Sequence, residues 1–165
     1  MSAAGPTLII KWWVDAAFAV HKDMRSHTGI NMSLGNGTTY ASSVKQKLNT
    51  RSSTEAEVVG VYDALPLIIW TRLFLESQGY EIRETVLFQD NISAELLETN
   101  GKSSSSKRTR HMNIRYFYIK DHIGEDMKIV HCPTEDMVAD YFTKPVQGAQ
   151  FIKFRNCIMN IKDEK

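Results

Sequence analysis

One carboxylate lies inside the most strand-like segment of this chain, and that placement constrains the fold more than any other feature. Leu8 to Val20 (LIIKWWVDAAFAV) is apolar, β-branched and aromatic, a pattern that predicts a mostly buried strand, and Asp15 lies within it. An isolated buried carboxylate is costly, so it has to find a cation, a donor or water. Further along, Thr85 to Gln89 reads as a short strand that runs directly into Asp90. The C-terminal end of a strand is where open α/β sheets usually place their ligands. A sheet whose first and fourth strands are neighbours would bring Asp15 and Asp90 together.

The remaining segments fill in such a sheet. Gly29 to Leu34 and Thr38 to Val44 are β-prone runs around Gly35-Asn36-Gly37, a hairpin signal. Thr54 precedes Glu57 by three residues, the spacing of a capping box, and opens a helix expected to run to about Gln78 with Gly79 as its stop. Pro66 inside it predicts a kink or a break into two helices. Asn91 can cap a short helix to about Glu98, and Arg108 to Ile123 reads as helical. Met127 to Cys132 reads as a strand, Thr134 to about Thr143 as a helix, and Gln150 to Ile161 as a last amphipathic helix. Antiparallel strands first and βαβ units later describe an α/β protein with a mixed five-stranded sheet flanked by helices. The expected division is a tail at 1–7, a domain at 8–145 and a helical extension at 146–165.

At 165 residues the chain fits one domain with a core of its own. Its 42% apolar and 24% charged residues are ordinary for a globular protein. No apolar run approaches the roughly 20 residues that cross a bilayer, and no membrane partner is expected. The N-terminus lacks a signal-peptide pattern, and Cys132 and Cys157 have neither metal-ligand spacing nor the look of a disulfide framework. A reducing intracellular compartment is the expectation. The formal net charge of +1 neither demands nor excludes a nucleic-acid partner, so distribution matters more than the total.

Several carboxylates converging on one point would repel each other unless a divalent cation neutralised them, and hard oxygen ligands suit Mg²⁺ or Mn²⁺ rather than zinc. The candidates are Asp15, Asp90, Glu55 in the first helical turn, and Asp140. Spacing alone leaves a plainer alternative open. A glutamate near a helix N-terminus is good dipole chemistry, and an aspartate at a strand end is often a cap. Lys102, Lys107, Arg108, Arg110, His111 and Arg115 form a basic run without an acidic residue, either a solvated face or a phosphate-binding strip. The Ser-rich stretch Ser103 to Ser106 adds small donors. Of Trp12 and Trp13, on opposite faces of the first strand, at least one is expected in the core.

Five blocks turn these separate hints into a pattern: Ser43-Val44-Lys45-Gln46-Lys47, Ser52-Ser53-Thr54-Glu55-Ala56-Glu57, Asp90-Asn91-Ile92-Ser93-Ala94, Arg110-His111-Met112-Asn113-Ile114-Arg115-Tyr116 and Ala139-Asp140-Tyr141-Phe142-Thr143-Lys144-Pro145. With these, the chain resembles the RNase H domain at the end of the polyprotein of copia-type retrotransposons, from Trp12 to about Phe154. The resemblance implies an RNase H-like fold and a ribonuclease H that hydrolyses the RNA strand of RNA–DNA hybrids during reverse transcription. It implies that Asp15, Glu55 rather than Glu57, Asp90 and Asp140 hold two Mg²⁺ ions, with Mn²⁺ as a substitute. Such ions would activate a water and stabilise the leaving 3′ oxygen. Glu57 is then a capping or neighbouring group. His131 either assists product release, as a loop histidine does in many such domains, or is an ordinary strand-end residue. The implied partners are an RNA–DNA hybrid and the reverse transcriptase domain of the same polyprotein, in the cytoplasm, in virus-like particles or with access to the nucleus. The first strand departs from the family's pattern at Ala17, where a second aspartate is common. The competing reading is a catalytically silent remnant of the same fold.

Overall fold

The computed structural model describes residues 7–91 and 113–162. Five strands, β1 (Thr7–Ala17), β2 (His27–Ser33), β3 (Tyr40–Lys45), β4 (Glu81–Gln89) and β5 (Lys128–His131), form one sheet in the order β3-β2-β1-β4-β5. β1 pairs antiparallel with β2 and parallel with β4, and β4 pairs parallel with β5. The sheet is mixed and α/β, as expected, and it makes neighbours of the strands that carry Asp15 and lead into Asp90.

Helix α1 (Ser53–Ser77) crosses from β3 to β4, α2 (Asn113–His122) precedes β5, and α3 (Gly148–Met159) closes the chain. Alternation along β1 sends Ile10, Trp12 and Val14 to one face, where they pack with Val58, Leu65 and Ile68 of α1 and Ile119 of α2. Each such side chain, fully buried, contributes on the order of 1.5–3 kcal/mol. The opposite face turns Trp13 onto Phe88, ring centres 5.0 Å apart, against Met137 and Ala139. Of the two tryptophans, Trp12 is therefore the core residue. Composition and length alone would let α1 cross a membrane, but half of its most apolar window is buried within the fold.

Two expectations about helices need correction. α1 runs unbroken through Pro66, which lies on its exposed side, so one lost backbone bond is outweighed by the packing of the buried stripe. The segment expected as a helix from Thr134 to about Thr143 is two 3₁₀ turns, Thr134–Asp136 and Val138–Phe142. Between them Met137 leaves helical geometry at ψ 84° and is fully buried. The expected helix after Asn91 lies outside the described residues. At the end of α1, Gly79 takes φ +87° where two bonds, Gly79 N–H to Glu76 O and Tyr80 N–H to Leu75 O, close the helix.

Candidate active site

Three aspartates arrive from three parts of the chain. Asp15 comes from β1, Asp90 follows β4, and Asp140 sits in the second 3₁₀ turn. One carboxylate oxygen from each lies within 4.8 Å of the others. Mg²⁺ holds its oxygens at about 2.1 Å, so opposite ligands stand about 4.2 Å apart, and small inward shifts would let one ion be shared. The residue opposite Asp15 on β2 is Gly29. A Cβ there would meet the Ala139 carbonyl at 2.6 Å, so only glycine lets the turn bearing Asp140 lie against the sheet.

The helical carboxylate at this site is Glu57. With Asp15, Asp90, Ser53, Asn91 and Lys144 it lines an open hollow of about 470 Å³. Its Oε2 is buried with no hydrogen-bond partner among the described residues. Burial and the charges of Asp15 and Asp90 push its carboxyl well above the usual range, against an Ala16 backbone hydrogen bond and Lys144. Glu55 does something else. Ser52, extended at φ −153° and ψ 164°, is the N-cap, and its hydroxyl accepts from Glu55 N–H at 3.2 Å. The Glu55 carboxylate accepts from Arg51 N–H at 2.8 Å. The capping arrangement thus lies two residues earlier than Thr54 and Glu57 suggested. Residues two apart on a helix do not share a face, so Glu55 caps while Glu57 meets the aspartates.

Lys144 supplies the positive charge at the site. Its Nζ lies 2.7 Å from Asp140 Oδ1 and 3.4 Å from Asp15 Oδ2. Thr143 Oγ1 donates to Asp15 Oδ2. Burial raises Asp140 to about 6, with the Asp15 charge adding and the Lys144 hydrogen bond opposing. Burial and Asp15 also raise Asp90, whose Oδ2 accepts from Thr134 Oγ1 at 3.4 Å. One ammonium against four crowded carboxyls leaves an excess of negative charge. Together with the orphaned Glu57 oxygen and an all-oxygen donor set, this fits a hard divalent cation. Thr143 and Lys144 stand in the block from Ala139 to Pro145, where the sequence alone assigns them no role. The spacing of Lys144, four residues after Asp140, was the available signal.

Other candidates fall elsewhere. His131 ends β5, paired in register with Gln89, and lines a separate hollow of about 350 Å³ with Trp13, Phe88, Cys132 and Phe154. Arg115 stacks its guanidinium 5.2 Å from the Tyr62 ring of α1. Lys102, Lys107, Arg108, Arg110 and His111 lie outside the described residues. α3 packs its buried Phe154 inward, and Lys153 reaches Asp136 at 2.6 Å.

No family model matches the chain. It is 32% identical over 149 residues, 89% of its length, to the Retrovirus-related Pol polyprotein from transposon TNT 1-94 of Nicotiana tabacum. It is 34% identical over 157 residues, 93% of its length, to that from transposon RE1 of Arabidopsis thaliana. The chain spans about 11% of each of these polyproteins. Among solved structures it matches the RNase H domain of prototype foamy virus (TM-score 0.56, 12% identity, 94% of this chain and 92% of that one). It also matches LC11-RNase H1, solved in complex with an RNA/DNA hybrid (TM-score 0.54, 15% identity, 79% and 88%). Similarity at these identities speaks for the fold, while the polyprotein matches speak for descent. The chain therefore belongs to the family of copia-type retrotransposon Pol polyproteins, of which it corresponds to the segment with the RNase H fold.

Proposed function

We propose that this protein is a metal-dependent ribonuclease H that hydrolyses the RNA strand of RNA–DNA hybrids in retrotransposon reverse transcription. The observation that carries the reading is the convergence of Asp15, Asp90 and Asp140, from three separate elements, to within 4.8 Å, with Glu57 beside them. Asp15, Glu57, Asp90 and Asp140 would hold two Mg²⁺ ions, or Mn²⁺ in their place. When bound, such ions activate a water for attack on the phosphodiester and stabilise the leaving oxygen. The chain's own part is to fix the four carboxyls on rigid elements, with Thr143 orienting Asp15. The hybrid complex of LC11-RNase H1 supports the substrate class. The prototype foamy virus protease-reverse transcriptase, matched at TM-score 0.50, supports a polymerase domain as neighbour. On this reading the basic run from Lys102 to His111 binds the hybrid backbone, and His131 aids product release.

One observation favours the second reading, a silent RNase H-fold domain. Lys144 already bridges Asp140 and Asp15, as a permanent counter-charge would. The test is cleavage of a labelled RNA–DNA hybrid in Mg²⁺ by the wild type and Asp90→Asn. The enzyme reading expects a loss greater than about a hundredfold in the variant, since groups that only orient metal ligands already cost about tenfold to a hundredfold when replaced. Equal rates in the two proteins would leave the silent reading standing.

A further inference from the structure

Beside the acid site, the turn between β1 and β2 holds two non-glycine residues in left-handed backbone, Ala19 at φ 53° and Met24 at φ 60°. Such a turn persists only where its surroundings fix it. Ala19 N–H donates to Ser26 Oγ at 3.1 Å and Met24 N–H to the His21 carbonyl at 2.8 Å, and from the His21 side chain of this turn a directed chain of hydrogen bonds leads outward. Ser43 Oγ lies 2.7 Å from the Phe142 carbonyl, which can only accept, so the single hydroxyl proton goes there. His27 Nε2, 2.8 Å from the same Oγ, must then be the donor. Neutral His27 is left with its lone pair on Nδ1, and His21 Nε2, 3.0 Å away, donates to it. The ring centres are 5.2 Å apart, so the imidazoles lie end to end, as a shared hydrogen requires.

The chain ends on a meaningful atom. Phe142 closes the 3₁₀ turn that carries Asp140, and it precedes Thr143, the donor to Asp15. A carbonyl at the end of a helical turn lacks a partner within the turn. We propose that His21, His27 and Ser43 are positioning residues of the acid site, holding the Phe142 carbonyl and thereby Asp140, Thr143 and Lys144 in place against Asp15. This rests on the proposed nuclease function and extends its machinery to the outer edge of the sheet. None of the three touches the reacting atoms.

Direction makes the chain sensitive to protons. His21 can take a proton on Nδ1 and still donate from Nε2, but a proton on His27 Nδ1 sets two N–H groups face to face. Among the described residues, the charged groups around the pair are Lys45, opposite His27 on β3, its partner Asp23 with Arg25, and Lys144, which shares a pocket with the pair beside the titratable Tyr141. Burial, and then the His21 charge, hold His27 below the ordinary imidazole value. With the folded value depressed, the contribution is complete above about pH 6.5 and is lost as the pH falls below it.

Three measurements on the full chain test the proposal. Nitrogen NMR of the imidazoles is expected to show His27 as the Nε2–H tautomer, and an Nδ1–H tautomer overturns it. Ser43→Ala is expected to lower kcat on a labelled hybrid between about tenfold and a hundredfold with KM unchanged. Ser43→Thr, which keeps the hydroxyl, is expected to restore it. An unchanged kcat in a folded Ser43→Ala protein overturns the proposal. If the wild type cuts no hybrid, the nuclease reading fails, and Mg²⁺ affinity then decides the positioning role: weakening by tenfold or more in Ser43→Ala supports it, and equal affinity sinks it.

Discussion

Glu57 buries a carboxylate oxygen without a protein partner among the described residues, and its neighbours are acids. A group in that position costs stability that a bound cation would offset. Replacing it with glutamine should raise the melting temperature of the metal-free protein, shrink the further rise on adding Mg²⁺, and abolish hybrid cleavage. Calorimetry with and without Mg²⁺ separates these effects. Glu55→Ala should behave in the opposite way. It loses a cap interaction, costs about 1 kcal/mol in denaturant unfolding, and keeps cleavage. The two glutamates could not be told apart in the sequence for a specific reason. Ser52-Ser53-Thr54-Glu55-Ala56-Glu57 contains two overlapping capping boxes, Ser52 with Glu55 and Thr54 with Glu57. Only the extended backbone of Ser52 chooses between them, and backbone angles are not written in side-chain spacing. Asp15 and Asp90, by contrast, were legible because their apolar flanks fix them to strand positions.

Among the elements, α1 and the acid-bearing turn respond differently to substitution. Pro66 lies within α1 on an exposed position, so Pro66→Ala restores a backbone donor without disturbing the core. Stability should rise by about 1–3 kcal/mol in urea unfolding, and a fall would mean that the helix relies on the proline. Gly29→Ala pushes a methyl into the Ala139 carbonyl, where the nearest atoms are partly backbone and cannot swing aside. It should cost about 1–3 kcal/mol and reduce activity with it. Long apolar periodicities made β1 and α1 readable from the sequence. The turns from Thr134 to Phe142 were not, because Met137 interrupts them to reach the core, and a ten-residue helical pattern does not reveal which residue will turn inward. Gly29 was equally silent, since its meaning lies in what crosses above it.

Over the whole molecule, the sheet order brings residues 125 positions apart into one cluster, and the cluster's ionisation governs its metal affinity. Asp140, raised to about 6, is protonated below that value and competes with any cation for its own oxygens. Its folded value lies above the ordinary carboxyl value, so in the metal-free protein its contribution is complete below about pH 4 and is lost as the pH rises through 6. Mg²⁺ affinity should therefore weaken as the pH falls through about 6, and Mg²⁺-induced stabilisation should grow above it. Titrations between pH 5 and 8 would show both, and a flat affinity would contradict the assignment of Asp140. Lys144 adds a matter of timing. Because its ammonium already bridges Asp140 and Asp15, the domain has a counter-ion from the moment its chain is complete. Folding and metal loading become separate events, unlike in small zinc modules whose folding waits for the ion. On the proposed function, the domain would take its fold even under chelating conditions and load free cations afterwards, in exchange for a tethered one.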